Sequence, residues 1–94
     1  NASVHTADYI ATIFDDVLLC TGPITITLYD AAGKTVNNVA QNAGRRIVIK
    51  KVGSGTITID PAGAQTIDGS TTKAINSSYG SLELFSDGSN WHII

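Results

Sequence analysis

Few side chains in this sequence could do acid–base, nucleophilic or metal chemistry. Asp15 and Asp16 are adjacent carboxylates. Two carboxylates sharing a proton can act as general acid and base, but neighbours on an extended strand point to opposite sides, so the pair reads as a bend. His5 and His92 are the only imidazoles, and no H-x-H or H-x-x-x-H spacing exists to assemble a zinc ligand set. His92, beside Trp91, reads as an outward strand residue facing solvent or a neighbouring subunit. Serines are plentiful, yet no nucleophile-elbow motif accompanies them. Cys20 is alone, which excludes an intrachain disulfide and a thiolate metal site. It ends the apolar run Val17-Leu18-Leu19-Cys20 and reads as a buried, inert thiol. Gly53-Ser54-Gly55-Thr56 is glycine-rich, but no helix follows to present N–H groups to a phosphate, so it reads as a hairpin turn. No catalytic residue, metal ligand or cofactor is expected.

Binding chemistry has more to draw on. The loop from Ser70 to Tyr79 holds hydroxyls, the cation Lys73, the amide Asn76 and the ring of Tyr79. Such a set can hydrogen-bond a sugar and stack on its apolar face. The alternative is an ordinary polar loop with Tyr79 packed on its own domain. Arg45-Arg46 and Lys50-Lys51 form the one basic cluster. They read either as charges protecting an edge strand from wrong pairing or as a contact for an acidic glycan or a neighbouring protein. Asn1-Ala2-Ser3 and Asn76-Ser77-Ser78 match the glycosylation pattern, which in a chain rich in Asn and Ser reads as chance.

These residues must be carried by strands. Ile24-Thr25-Ile26-Thr27-Leu28 alternates strictly, and so do the runs containing Ile47 and Ile49, Ile57 and Ile59, Leu82 and Leu84, and Trp91 and Ile93. Period-two alternation of β-branched and polar residues predicts half-buried strands. Ile26, Leu28, Ile47, Ile49, Ile57, Ile59, Leu82, Leu84, Trp91 and Ile93 are the expected core. Tyr9 to Phe14 and Val17 to Cys20 add two strands. Gly22-Pro23, Gly33, Gly53, Pro61, Asp68-Gly69 and Asp87-Gly88 punctuate them. Asp87-Gly88 is expected to turn a terminal hairpin that anchors Trp91 in the core; a sugar-stacking role for Trp91 is the alternative. Residues 31–43 predict a loop with at most one helical turn. Residues 55–69 echo residues 21–35, each with an Ile-Thr-Ile core, an Asp and then a small-residue turn, which suggests two similar hairpin units. The fold class expected is all-β, a small antiparallel β-sandwich or barrel, jelly-roll-like. Residues 1–94 form one domain, with residues 1–7 as a flexible lead-in.

The chain has 94 residues and a formal net charge of -2. A domain this small hides only roughly 60–65% of its unfolded surface, so a partner subunit would help it. The sparse charge gives no electrostatic footprint for nucleic acid, and no apolar run is long enough for a membrane-spanning helix. Ile10, Phe14, Val48, Phe85 and Ile94 fall on faces left over from the core pattern and point to a subunit interface. The absence of Met and the start at Asn1 read as a piece of a longer polypeptide.

The ordered blocks resemble a β-module of bacteriophage tail-fibre and virion-surface proteins. They are Asp16-Val17-Leu18-Leu19, then Ile24 to Leu28 with Asp30-Ala31-Ala32, then Gly44 to Lys51, then Thr58-Ile59-Asp60 and Gln65 to Gly69, and finally Leu84 to Trp91. The resemblance covers about Asp8 to Ile94. Tyr29 stands where such modules usually carry Pro, which leaves a backbone N–H free at that turn. The resemblance implies a homotrimer located on the virion. It would be the head of a tail fibre or spike that attaches to a host surface glycan and contacts other virion proteins. A capsid decoration or head-fibre protein with no receptor role is the alternative; a fragment of a glycan-depolymerising tailspike is weaker, since no carboxylate pair can be placed. The resemblance implies no cofactor and no enzymatic chemistry.

Overall fold

The computed structural model describes all 94 residues and is all-β. The alternating segments form strands as the period-two pattern requires. A first sheet contains β1 (Ala2–His5), β3 (Val17–Cys20), β7 (Arg46–Lys51), β10 (Ser81–Ser86) and β11 (Trp91–Ile93), in that order. A second contains β2 (Tyr9–Ile10), β4 (Ile24–Thr27), β8 (Ile57–Asp60) and β9 (Lys73–Ile75). Residues 31–43 contain no helix; they carry a small hairpin of β5 (Thr35–Val36) and β6 (Val39–Ala40).

Strand direction departs from the antiparallel expectation. β1, β3 and β7 run parallel, and so do β2, β4 and β8. Neither sheet closes into a barrel. The chain instead passes from the first sheet to the second three times, β1–β2, β3–β4 and β7–β8, and each pass stacks beside the last. We call each pass a lap. Period-two patterning defines the two faces of a strand but carries nothing about the direction of its neighbour. Parallel neighbours need a long crossover, and here each crossover runs through a strand of the opposite sheet.

The internal echo has a different meaning from the hairpins it suggests. Ile24, Thr25, Ile26 and Thr27 lie beside Ile57, Thr58, Ile59 and Asp60 in one parallel register. Like side chains therefore stack from lap to lap. The turns leading into them stack as well. A Cβ on Gly55, whose φ is +82°, would lie 2.2 Å from the carbonyl carbon of Gly22. Only glycine permits that approach.

Residues 1–7, expected as a lead-in, contain β1, which pairs along its length with β3. β7 is an interior strand between β3 and β10, not an edge. Its inward residues are Ile47, Ile49 and Lys51, all buried. After β8 the chain reverses. β9 pairs antiparallel with β8, β10 with β7, and β11 with β10.

The inward rows of both sheets meet in one cluster. Ile26, Leu28, Ile47, Ile49, Ile57, Ile59, Leu84 and Trp91 are buried there, and Leu82 and Ile93 are half-buried against it. Trp91 is received by Tyr29, whose ring meets it edge to face at 5.1 Å. Ile67 lies beside Trp91 as an isolated parallel bridge. The Asp87-Gly88 turn takes the conformation expected of it. The Asp87 carboxylate accepts the N–H groups of Ser89 and Asn90 at 2.8 Å each, and Gly88 has φ +97°.

Candidate functional site

Each lap has two edges where the chain changes sheet. The first edge gathers residues 21–23, 52–56 and 76–80. The second gathers residues 28–34, 61–66 and 87–90.

The first edge holds two of the three residues singled out for ligand binding. Tyr79 is 65% exposed and has φ +57°, a left-handed backbone that is uncommon for a bulky side chain. Two lysines fix its loop. Lys51 Nζ donates to the Asn76 carbonyl, and Lys50 Nζ donates to the Tyr79 carbonyl, both at 2.9 Å. Thr56 Oγ1 donates to Asn76 Oδ1 at 2.8 Å. The Lys50 ammonium also lies 5.8 Å from the centre of the Tyr79 ring. Burial of Lys51 is tolerable because its ammonium is hydrogen-bonded, and that bond ties the loop to the core side of β7. The result is an exposed ring with a cation beside it on a tethered loop.

Lys73 is not part of this group. It starts β9 opposite Ile59, about 10 Å of extended chain before Asn76. Lys50 takes its place as the cation beside Tyr79. The sequence signal for it was the outward position of Lys50 in the alternation of β7, at the end of the one basic cluster.

The other reactive types are tied into structure. Asp15 is buried and accepts the Tyr9 hydroxyl and the Thr12 N–H, each at 2.8 Å, while Asp16 is exposed. The two share no proton. The hydrogen bond to Asp15 raises the Tyr9 pKa. His5 meets Ser3 Oγ at 2.7 Å and stacks on the Tyr9 ring at 3.8 Å. Burial pushes the Cys20 thiol up to about 11, so it stays protonated. No three His, Cys, Asp or Glu side chains converge with metal-binding geometry.

The second edge carries an ion cluster and a hollow. His92 Nε2 lies 2.6 Å from Asp87 Oδ2, and Nδ1 lies 3.4 Å from Asp68 Oδ1. The bond to Asp87 raises the His92 pKa. The N–H of Asn90 and the His92 ring in turn hold Asp87 down to about 2. Phe85 stacks on His92 at 5.3 Å. Beside this cluster lies an open hollow lined by Asp30, Ala62, Gly63, Ala64, Gln65 and Asn90. The sequence reading did not single out this hollow. Its residues come from three separate turns, and only the lap stacking brings them together.

Comparison with protein-family models, curated proteins and solved structures finds no match to this chain.

Proposed function

We propose that this chain is a non-enzymatic structural module of a bacteriophage virion, the head of a tail fibre or spike, which trimerises and attaches to the host surface. The observation that carries the assembly reading is where the uncovered apolar side chains lie. The three most exposed, Phe14 at 75%, Ile10 at 70% and Val4 at 69%, lie on the first lap and the turn that follows it, while Ile94 (61%) and Val39 (56%) are exposed elsewhere. β1 and β2 there are sheet edges, paired on one side only. Edges without charged or proline protection invite pairing or coverage. A neighbouring copy is the natural cover for a chain of this size. The attachment reading is supported by the first edge, where Tyr79 stands exposed beside Lys50. A ring and a cation together suit the sugar face and carboxylate of an acidic surface glycan.

Light scattering after gel filtration tests the assembly: three chain masses are expected, and replacing Val4, Ile10 and Phe14 together by Ser should give one. A monomer of the parent chain at micromolar concentration would overturn it. Attachment is tested with Tyr79→Gly, which removes the ring and suits the positive φ. Adsorption to host cells should fall with the melting temperature unchanged. Normal adsorption by this variant would reject the receptor role.

A further inference from the structure

We infer that the hollow at the second edge is a binding subsite for an uncharged sugar ring. It is an open hollow of about 490 Å³, and that volume falls within the usual range for a small-ligand site. The inference does not rest on attachment through Tyr79, which lies at the opposite edge of the laps.

The lining combines small apolar surface with polar groups that are already fixed. Ala62, Gly63 and Ala64 form a tight turn closed by the Gln65 N–H donating to the Ala62 carbonyl at 3.0 Å. A Cβ added at Gly63 would meet nothing within 4 Å. Asp30 Oδ1 accepts the Ala32 N–H at 2.9 Å and Gln65 Nε2 at 2.6 Å. Gln65 Oε1 accepts the Ala31 N–H at 2.9 Å. Asn90 Oδ1 accepts the Thr66 N–H at 3.0 Å. Each polar side chain is thus oriented by a backbone N–H, and each keeps hydrogen-bonding capacity. Asp30 retains its second carboxylate oxygen. Gln65 retains a second hydrogen on Nε2, and Asn90 retains both hydrogens on Nδ2.

A fixed anionic acceptor between amide donors matches a pair of adjacent hydroxyl groups. One hydroxyl donates to the carboxylate and accepts from an amide, and its neighbour does the same with the second amide. The C–H face of the ring would lie on the Ala62–Ala64 turn. Asp30 is the only charged group in the lining. The N–H of Ala32 and the Gln65 amide lower its pKa, so it stays ionised. A sugar carboxylate would meet this anion with no cation in the lining to offset it. An amine would leave the amide donors unmatched. Because the polar groups are ordered before binding, little side-chain entropy is lost when the ligand arrives.

The test is an amide-resolved NMR titration of the intact chain with a panel of methyl hexosides, with a hexuronic acid and an alkylamine for comparison. At least one neutral hexoside should shift the amides of residues 30–32, 62–66 and 90, with millimolar affinity. Ala64→Arg, which fills the hollow from an exposed position, should abolish those shifts. Asp30→Asn should weaken binding by about tenfold. Tyr79→Gly should leave binding unchanged, which separates this subsite from the attachment loop. No shift with any neutral hexoside through the high-millimolar range would overturn the inference. So would shifts that survive Ala64→Arg, or a preference for the hexuronic acid or the amine.

Discussion

At the N-terminal end of the stack, β1 and β2 make backbone hydrogen bonds on one side and present Val4 and Ile10 to solvent, with Phe14 exposed in the turn that follows. At the other end the last parallel lap, β7–β8, is covered by β10 and β9 running the opposite way. β11 and the segment around Ile67 extend that cover, and Trp91 is sealed beneath them. The difference follows from what each pairing allows. Parallel laps repeat one geometry and leave the next lap's position open. An antiparallel return uses the exposed edge, and a large side chain can then fill the end of the core. Of the inward residues in the first lap, Ser3 and His5 are polar and only partly buried. Its order comes from polar ties such as Asp15 with Tyr9 and Thr12, whereas the closed end is held by apolar burial.

The largest expected effect is at the closed end. Trp91→Ala should cost about 3–5 kcal/mol by denaturant unfolding, the usual loss for emptying a buried aromatic site. A cost below about 1 kcal/mol would mean that the ring does not close the core. The open end should answer to polar changes instead. Asp15→Ala leaves the Tyr9 hydroxyl and the Thr12 N–H without their acceptor, and should cost about 1–3 kcal/mol. Hydrogen exchange should show that loss as faster opening of residues 2–10, with the amides of β7 and β10 still protected. Equal acceleration throughout would erase the distinction between the ends.

A smaller effect is expected with pH. His92 has its pKa raised above the ordinary 6.5, chiefly by its bond to Asp87. Its contribution is fully present below 6.5 and fades as pH rises through the folded value. Asp87 has the opposite sign. Lowered to about 2 from 3.8, it contributes above 3.8 and its share is lost as pH falls toward 2. The melting temperature should therefore be highest between these windows and decline slightly toward pH 8. Both groups are exposed, so the change is modest and reduced by salt. In His92→Gln the alkaline decline should vanish; its persistence would assign the decline elsewhere. The smallest effect is at Val4. At dilutions where the chain is monomeric, Val4→Thr keeps the β-branch on an exposed strand face and should shift stability by less than about 0.5 kcal/mol. In a concentration-dependent melt the loss should grow as copies associate over this face, and a loss that stays small at every concentration would mean that no copy covers Val4.

Much of the fold was legible in the sequence because burial and alternation are local properties. Ile47 and Ile49 differ from Arg46, Val48 and Lys50 by strand face alone, and no tertiary knowledge is needed to separate them. Lys51 breaks that reading: its position faces inward, and its burial depends on the Asn76 carbonyl, which lies far along the chain. The candidate sites divide in the same way. Tyr79 and Asn76 share one loop and were visible together. Lys50 reaches them only because β10 returns beside β7. Asp30, Gln65 and Asn90 meet only because three turns stack at one edge.

The sequence by itself determined the core strands β3, β4, β7, β8, β10 and β11, the inward rows, the Asp87-Gly88 turn and the scarcity of imidazole and thiol groups, since each depends on residue type and near neighbours. Tertiary structure alone decided which strands are neighbours and in which direction they run. The match of Ile24-Thr25-Ile26 with Ile57-Thr58-Ile59 fits a hairpin pair or a parallel stack equally well as a string of letters. Gly22 and Gly55 can approach closely only when the laps stack in parallel, and the return of β9 and β10 then covers the last parallel lap, with β9 as the new edge of its sheet, while β1 and β2 stay uncovered at the other end. Long-range pairing of this kind rests on backbone groups that every residue carries, so residue identity alone leaves it undetermined.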